Sequence, residues 1–247
     1  MYSRALSRPG VCWPLTWHGQ AGNLERVAAR LAFLFDCDNT LLDNDAAKEE
    51  FGRRLEAAIG EDEAVRFWAT YEDVRAERAV VDIPATIARF AGADNELRAI
   101  LTGVFFDFPF GQFLYPGVPR VIEHARKMGS VAVLSDGDQV FQRHKIRASG
   151  LEEMVGGAVF VVEHKEVEIP RLIANLRADR YVTVDDKPHL LGALKSTIGA
   201  PLTTVFVRQG NYAAAGLRDS NAADLVLDSV ADFLHLNESD LLAPSSA

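Results

Sequence analysis

Residues 31–43 read Leu31-Ala32-Phe33-Leu34-Phe35-Asp36-Cys37-Asp38-Asn39-Thr40-Leu41-Leu42-Asp43. A short apolar run ends abruptly in two carboxylates one residue apart. Such a run reads as a buried strand of a parallel sheet. Ligands of open α/β sheets bind at the carboxyl ends of the strands. Asp36 and Asp38 would therefore stand at the mouth of a sheet, where two negative charges are costly to bury unless a cation compensates them.

Working outward, apolar β-rich segments recur at 131–135, 158–162, 181–184 and 203–207. Helical patterns separate them. In 119–128, Val121, Ile122, Ala125 and Met128 share a face, and Gly129 follows as a stop. Further helices are expected at 139–149, closed by Gly150, at 168–177 and at 189–197. Strands alternating with helices predict an α/β fold, a doubly wound, Rossmann-like, mostly parallel sheet with right-handed crossovers.

The gap between the first two strands is too long for one crossover. Residues 44–115 carry helical periodicity instead. Ala47, Phe51, Leu55, Ala58 and Ile59 form one stripe, and Ala64, Phe67, Trp68, Tyr71 and Val74 another. Pro84 suits a helix start, and Asp94 can cap a helix bearing Leu97, Ile100, Leu101, Val104 and Phe105. The expected organisation is an N-terminal extension (1–30), a core built from 31–43 and 116–237, an inserted all-helical cap (44–115) and a frayed tail (238–247).

Lys plus Arg number 26 and Asp plus Glu 35, a net charge of −9. With no Lys/Arg-rich run there is no footprint for nucleic acid or an anionic membrane surface. Hydrophobic content of 48% and charged content of 25% fit a packed core rather than disorder. No apolar run reaches spanning length, and the leader has no sustained apolar block of a signal peptide. Two cysteines, Cys12 and Cys37, give no disulfide framework, so a reducing cytoplasm is the expected location. Oligomeric state is left open.

Polar groups end four of the strands. The first supplies Asp36 and Asp38, the second Ser135-Asp136-Gly137, the fourth Asp185-Asp186, and Lys165 lies just past the third. The inventory is a carboxylate nucleophile, a second carboxylate, a hydroxyl, an amine and a further acidic pair. Phosphoryl transfer wants that set. A carboxylate can attack phosphorus, Mg²⁺ takes hard oxygen ligands, and Ser and Lys can hold the non-bridging oxygens.

From about residue 31 to 236 the chain resembles the haloacid dehalogenase superfamily, in particular its phosphatase branch with a helical cap. The Asp36-Cys37-Asp38-Asn39-Thr40 motif carries the resemblance most strongly, followed by Ser135, Lys165 and Asp185-Asp186. The resemblance implies that Asp36 is the nucleophile and a Mg²⁺ ligand. Asp38 would be the general acid/base, with its main-chain carbonyl on the metal. Thr40 would steady the loop, and Ser135 and Lys165 would hold the phosphoryl group together with the Asp136-Gly137 turn. Asp185 and Asp186 would complete the metal site. Dehalogenase and phosphonate-cleaving branches usually lack a carboxylate at the position of Asp38. A leaving alkoxide needs a proton and a halide does not, so Asp38 favours an oxygen ester.

Two positions depart from the family pattern. Asp136 stands where a neutral residue commonly follows the serine. Glu166 stands where proline often follows the lysine, which makes Lys187 a rival to Lys165. The expected function is a Mg²⁺-dependent hydrolase of a small-molecule phosphate monoester. The alternatives are a haloacid dehalogenase, a sugar phosphomutase or a catalytically silent binding protein. Cys37 reads as a small buried filler. His144, His164 and His189 read as surface or satisfied histidines. Phe67, Trp68 and Tyr71 read as helix packing rather than a substrate cage, and Phe105, Phe106, Phe108 and Phe110 as core and hinge packing. Arg53, Arg54, Arg208 and Tyr212 are candidate substrate contacts.

Overall fold

The computed structural model describes residues 29–175, 178–211, 213 and 223–242. Most of the N-terminal extension, with Cys12, lies outside the described residues, as do Tyr212 and the last five residues of the tail. The element order is β1 (Ala29–Phe35), α1 (Asn44–Ile59), α2 (Glu61–Arg78), α3 (Ile83–Ala91), α4 (Asn95–Phe106), α5 (Val118–Met128), β2 (Gly129–Asp136), α6 (Gln139–Ala148), α7 (Leu151–Met154), β3 (Val159–Val162), α8 (Lys165–Asn175), β4 (Ala178–Asp185), α9 (Pro188–Ile198), β5 (Leu202–Val207) and β6 (Leu225–Leu227). The strands form one parallel sheet in the order β3-β2-β1-β4-β5-β6.

Leu31 through Phe35 are all nearly inaccessible. β1 lies between β2 and β4 and is covered on both faces, which is why it shows no alternation of apolar and polar residues. Phe33 and Phe35 point to the face where Phe233 packs edge-on, at ring separations of 5.8 and 5.3 Å. Register does the rest. Phe35 pairs with Val133 on one side and Val184 on the other, so the residues just beyond those three strands share one edge of the sheet.

Residues 238–242, expected to be part of a frayed tail, form a short helix whose Leu241 is fully buried and whose Leu241 carbonyl accepts from Thr203 Oγ1 at 2.8 Å. Further departures lie in α8 and β6. α8 begins at Lys165, not near 168, because the His164 carbonyl already accepts from the amides of Val167 and Glu168. Pro170 therefore sits inside the helix. β6 is a three-residue edge strand, too short for any periodicity to announce.

Between β1 and β2 the chain forms α1 to α4. Three of these helices open on aspartates that accept an amide hydrogen bond: Asp43 from Ala46 (2.9 Å), Asp82 from Ala85 (2.8 Å) and Asp94 from Leu97 (2.9 Å). Each such cap contributes about 1 kcal/mol. Two backbone bonds tie the segment's ends together, Asp43 N–H to Phe113 O at 2.8 Å and Tyr115 N–H to Leu41 O at 3.0 Å. The aromatics interlock behind this stalk. Phe105, fully buried, lies 4.9 Å from Phe51, 5.3 Å from Phe67 and 6.2 Å from Phe141 of α6. It therefore packs the inserted helices both on one another and on the sheet-bearing part. Phe105→Ala should cost about 3–5 kcal/mol in urea denaturation, the range for truncating a buried aromatic. A loss below about 1 kcal/mol would show that this cluster does not hold the helices.

Candidate active site

β1, β2 and β4 end side by side, and α8 starts beside them. Asp36 follows β1 directly, and its N–H donates to Val184 O at 2.9 Å. The next residues coil into a tight loop in which Leu41 and Leu42 both donate to the Cys37 carbonyl. Asn39 takes a left-handed conformation (φ 58°), which asparagine tolerates better than most residues. Its Oδ1 accepts from the amides of Asn44 and Asp45 at 3.0 and 3.2 Å, joining the loop to the first turn of α1. Gly210 packs against it so closely that a Cβ there would lie 2.4 Å from Asn39 Cγ.

A buried ammonium sits in the centre. Lys165 Nζ donates to Asp36 Oδ1 and, at 2.8 Å, to Asp185 Oδ2, with all three side chains almost fully buried. Asp136 organises the cations from below. Its Oδ1 accepts the Lys165 amide at 3.1 Å and its Oδ2 the Lys187 ammonium at 2.9 Å. The two lysines thus divide the work: Lys165 meets Asp36 and Asp185, and Lys187 meets Asp136.

Asp36, Asp185 and Asp186 each offer a carboxylate oxygen within 4.8 Å of the others. Asp185 has both oxygens engaged, Oδ2 by Lys165 and Oδ1 by the Lys187 amide at 3.0 Å. Asp186 Oδ1, in contrast, is buried with no hydrogen-bond partner. A buried orphan carboxylate oxygen beside two other carboxylates is a hard-oxygen donor set suited to Mg²⁺. Burial raises Asp36 to about 7 against the pull of Lys165. Burial and the like charges of Asp36 and Asp185 raise Asp186 to about 9. Lys165 is pushed down by burial but held well above its ordinary value by Asp185 and Asp36.

On the other side of the loop, Asp38 is partly exposed at the cleft. Lys145 Nζ, itself buried, donates to both of its oxygens at 2.9 Å and to Asn44 Oδ1 at 3.1 Å. Gln142 Nε2 bridges Asp38 (3.1 Å) and Ser135 Oγ (2.6 Å). Burial would raise Asp38, but the Lys145 charge and the hydrogen bonds from Lys145 and Gln142 win and hold it below the usual carboxylate range. Above this floor lies a cleft of about 730 Å³ between α1, α2 and the sheet edge, lined in part by Asp38, Asp136, Gly137, Asp186 and Lys187.

A family model described as haloacid dehalogenase-like hydrolase matches residues 31–206. The chain belongs to the haloacid dehalogenase-like hydrolases. A haloacid dehalogenase-like hydrolase from Burkholderia xenovorans is 35% identical, with a TM-score of 0.76 over 85% of this chain and 99% of that one. L-2-haloacid dehalogenase from Xanthobacter autotrophicus shares the fold at 17% identity (TM-score 0.55; 84% and 98% covered). So does the hydrolase YfnB of Bacillus subtilis, solved bound to magnesium, at 14% identity (TM-score 0.56; 84% and 98% covered). No curated protein matches.

For this hydrolase the structure brings Asp36, Asp38, Ser135, Asp136, Lys165, Asp185 and Asp186 to one edge. Thr40 is fully buried beneath them, its Oγ1 3.4 Å from Asp36 Oδ2, so it steadies the Asp36 carboxylate and does not face the cleft. The Gly137 amide is committed to Val162 O at 3.0 Å. Gly137 therefore lines the site and supplies its unusual backbone (φ 143°), but it has no free N–H for a phosphate. Arg53 and Arg208 pair with Glu50 and Asp228 away from the cleft, and Arg54 lies on Phe108. Cys37 is fully buried. Trp68 and Tyr71 pack on their neighbours, yet they also line the cleft, as do His164 and His189. Sequence reading missed Gln142 and Lys145. Their one signal was two long polar residues on the helix face that also carries the buried Phe141 and Ile146.

Without a cation, folded Asp36 and Asp186 keep protons that the unfolded chain, with Asp near 3.8, releases. The stability this pair contributes is present below about pH 4 and is lost as pH rises through about 7 and about 9. A divalent cation held by these carboxylates would relieve that loss where they are ionised. At ~100 times its dissociation constant it should add about 2.7 kcal/mol in urea denaturation at high pH and much less at pH 5. Asp186→Asn should shrink the increment. An increment equal at both pH values would reject the acidic triad as the binding site.

Proposed function

We propose that this hydrolase cleaves small-molecule phosphate monoesters through an aspartyl-phosphate on Asp36, with Mg²⁺ held by Asp36, Asp186, Asp185 and the main-chain carbonyl of Asp38. The observation that carries the reading is a pair of carboxylates with separate environments. Asp36 is buried against Lys165, while Asp38 faces the cleft, ready to exchange a proton. A halide leaving group needs no such proton, and an alkoxide does.

Asp36 attacks phosphorus as its carboxylate, which Lys165 favours by pairing with it. The bond to the leaving oxygen breaks in line with the attack. Lys145 keeps the resting Asp38 ionised, so the proton it passes to the leaving oxygen comes from the incoming phosphate monoanion. Asp38 then takes a proton from the water that hydrolyses the aspartyl-phosphate and passes it to the departing phosphate, so Asp36 and Asp38 both return as carboxylates. Ser135, oriented by Gln142, donates to a non-bridging oxygen. A cation held by Asp36, Asp185 and Asp186 would supply charge neutralisation to the phosphoryl oxygens. The inserted helices close over the cleft and limit stray water.

One observation favours a second reading, in which Asp36 attacks a carbon bearing a halogen. Lys165 pairs directly with Asp36, and attack on a carbon bearing a halide needs no cation to receive the leaving group. The two readings separate in a single assay. Purified protein should release inorganic phosphate from an aryl phosphate with Mg²⁺ and stop in EDTA. Asp36→Asn should lower kcat by about 10⁴-fold or more, and Asp38→Asn by about 10²–10⁴-fold. Halide release from a 2-haloacid in EDTA, with no phosphate release from any ester, would replace the first reading with the second.

A further inference from the structure

The cap side of the cleft carries a group that the chemistry above does not use. Lys48 extends from the second turn of α1 over two aromatic rings of α2, 5.5 Å from the Trp68 centroid and 5.1 Å from that of Tyr71. All three line the cleft. Trp68, Tyr71 and Arg75 follow at intervals of three and four residues, which puts them on one face of α2. That face closes the cleft opposite the sheet edge.

Asp136, Asp138, Glu163, Glu166 and Asp186 line the sheet side of the cleft; Lys48 and Arg75 line its cap side, where the carboxylate of Asp45, at the start of α1, accepts from Asn39 and Asn211. Lys145 and Lys187, nearer the floor, are each bonded to a carboxylate, Asp38 and Asp136. Arg75 has Glu72 at 3.5 Å. Among the described residues no carboxylate lies within ion-pair distance of Lys48; its neighbours are the two ring faces. Ring faces fix the direction of an ammonium without neutralising it. Phe51, Phe105, Phe141 and Ile83 also line the cleft and supply its apolar surface.

We infer that Lys48, oriented by Trp68 and Tyr71, is a substrate-specificity subsite for a second anionic group. The substrate is then a phosphate monoester with an apolar or planar body and a distal carboxylate or phosphate. The inference rests on the phosphatase reading for what occupies the floor of the cleft. The distal anion gives a hydrogen-bonded partner to an ammonium that, among the described residues, meets only ring faces, and the apolar body covers the apolar lining.

The test compares phenyl phosphate with 4-carboxyphenyl phosphate, which share a body and a reacting group. Wild-type protein with Mg²⁺ should prefer the carboxylated ester by about tenfold in kcat/KM, the worth of one charge-assisted hydrogen bond. The preference should collapse towards one in Lys48→Gln and survive in Lys48→Arg. A wild-type ratio near one, or an equal preference in Lys48→Gln, would overturn the subsite. A parallel calorimetric titration with phenylphosphonate and 4-carboxyphenylphosphonate separates this inference from the one beneath it. If neither ester turns over but the carboxylated phosphonate binds more tightly in a Lys48-dependent way, the subsite stands and the phosphatase reading fails. If the two phosphonates bind alike, the subsite fails whatever the esters do.

Discussion

The buried ammonium of Lys165 holds the site together. It lies between Asp36 from the end of β1 and Asp185 from the end of β4, and all three side chains are out of water. Two adjacent buried carboxylates would repel each other and would each carry a heavy desolvation penalty. The lysine offsets both. Removing one partner from such a cluster typically costs 3–5 kcal/mol, roughly, because the others are left as uncompensated buried charges. The cost would fall at the seam between two central strands, so the placement of Asp36 and the integrity of the sheet edge depend on the same contact.

Around that contact the charges are layered. Asp136, an extra negative charge from the standpoint of the sequence, is no obstacle to an anionic substrate. It is spent on the amide of Lys165 and the ammonium of Lys187, and so sets both lysines in place. Lys145 pairs with Asp38 at the exposed side of the loop, with Asn44 of α1 as a third partner, and unlike Lys165 beside Asp36 it outweighs the burial of its carboxylate. Asp38 is thereby tied to the first residue of α1. A movement of α1 relative to α6 would be felt at Asp38 through a single ammonium.

Much of this was legible in the chain. The run 31–35 is apolar at every position because β1 is covered on both faces, and that pattern announces a central parallel strand. Asp43, Asp82 and Asp94 mark their helices because short polar side chains before a helix satisfy its first amides. The acidic pair at 36 and 38 and the pair at 185 and 186 are local in sequence and lie at strand ends. Other features were hidden. β6 is too short to show a period. Gln142 and Lys145 look like ordinary solvated residues of an amphipathic helix, and only the face that α6 turns to the sheet makes them partners of Ser135 and Asp38. Trp68 and Tyr71 satisfy helix packing and line a cleft at once, and a stripe of aromatics cannot say which.

The sequence by itself determined the parallel α/β sheet, the helical insertion after its first strand and the family of hydrolases to which the chain belongs. Those follow from periodicity and short motifs, which are properties of neighbouring residues. The division of labour between Lys165 and Lys187, the selection of Asp186 as the carboxylate with a free buried oxygen, and the meeting of Lys48 with two aromatic rings were decided only by the tertiary structure. Each depends on side chains from separate elements reaching one point in space, and whether a charge is buried, paired or free is fixed by that meeting.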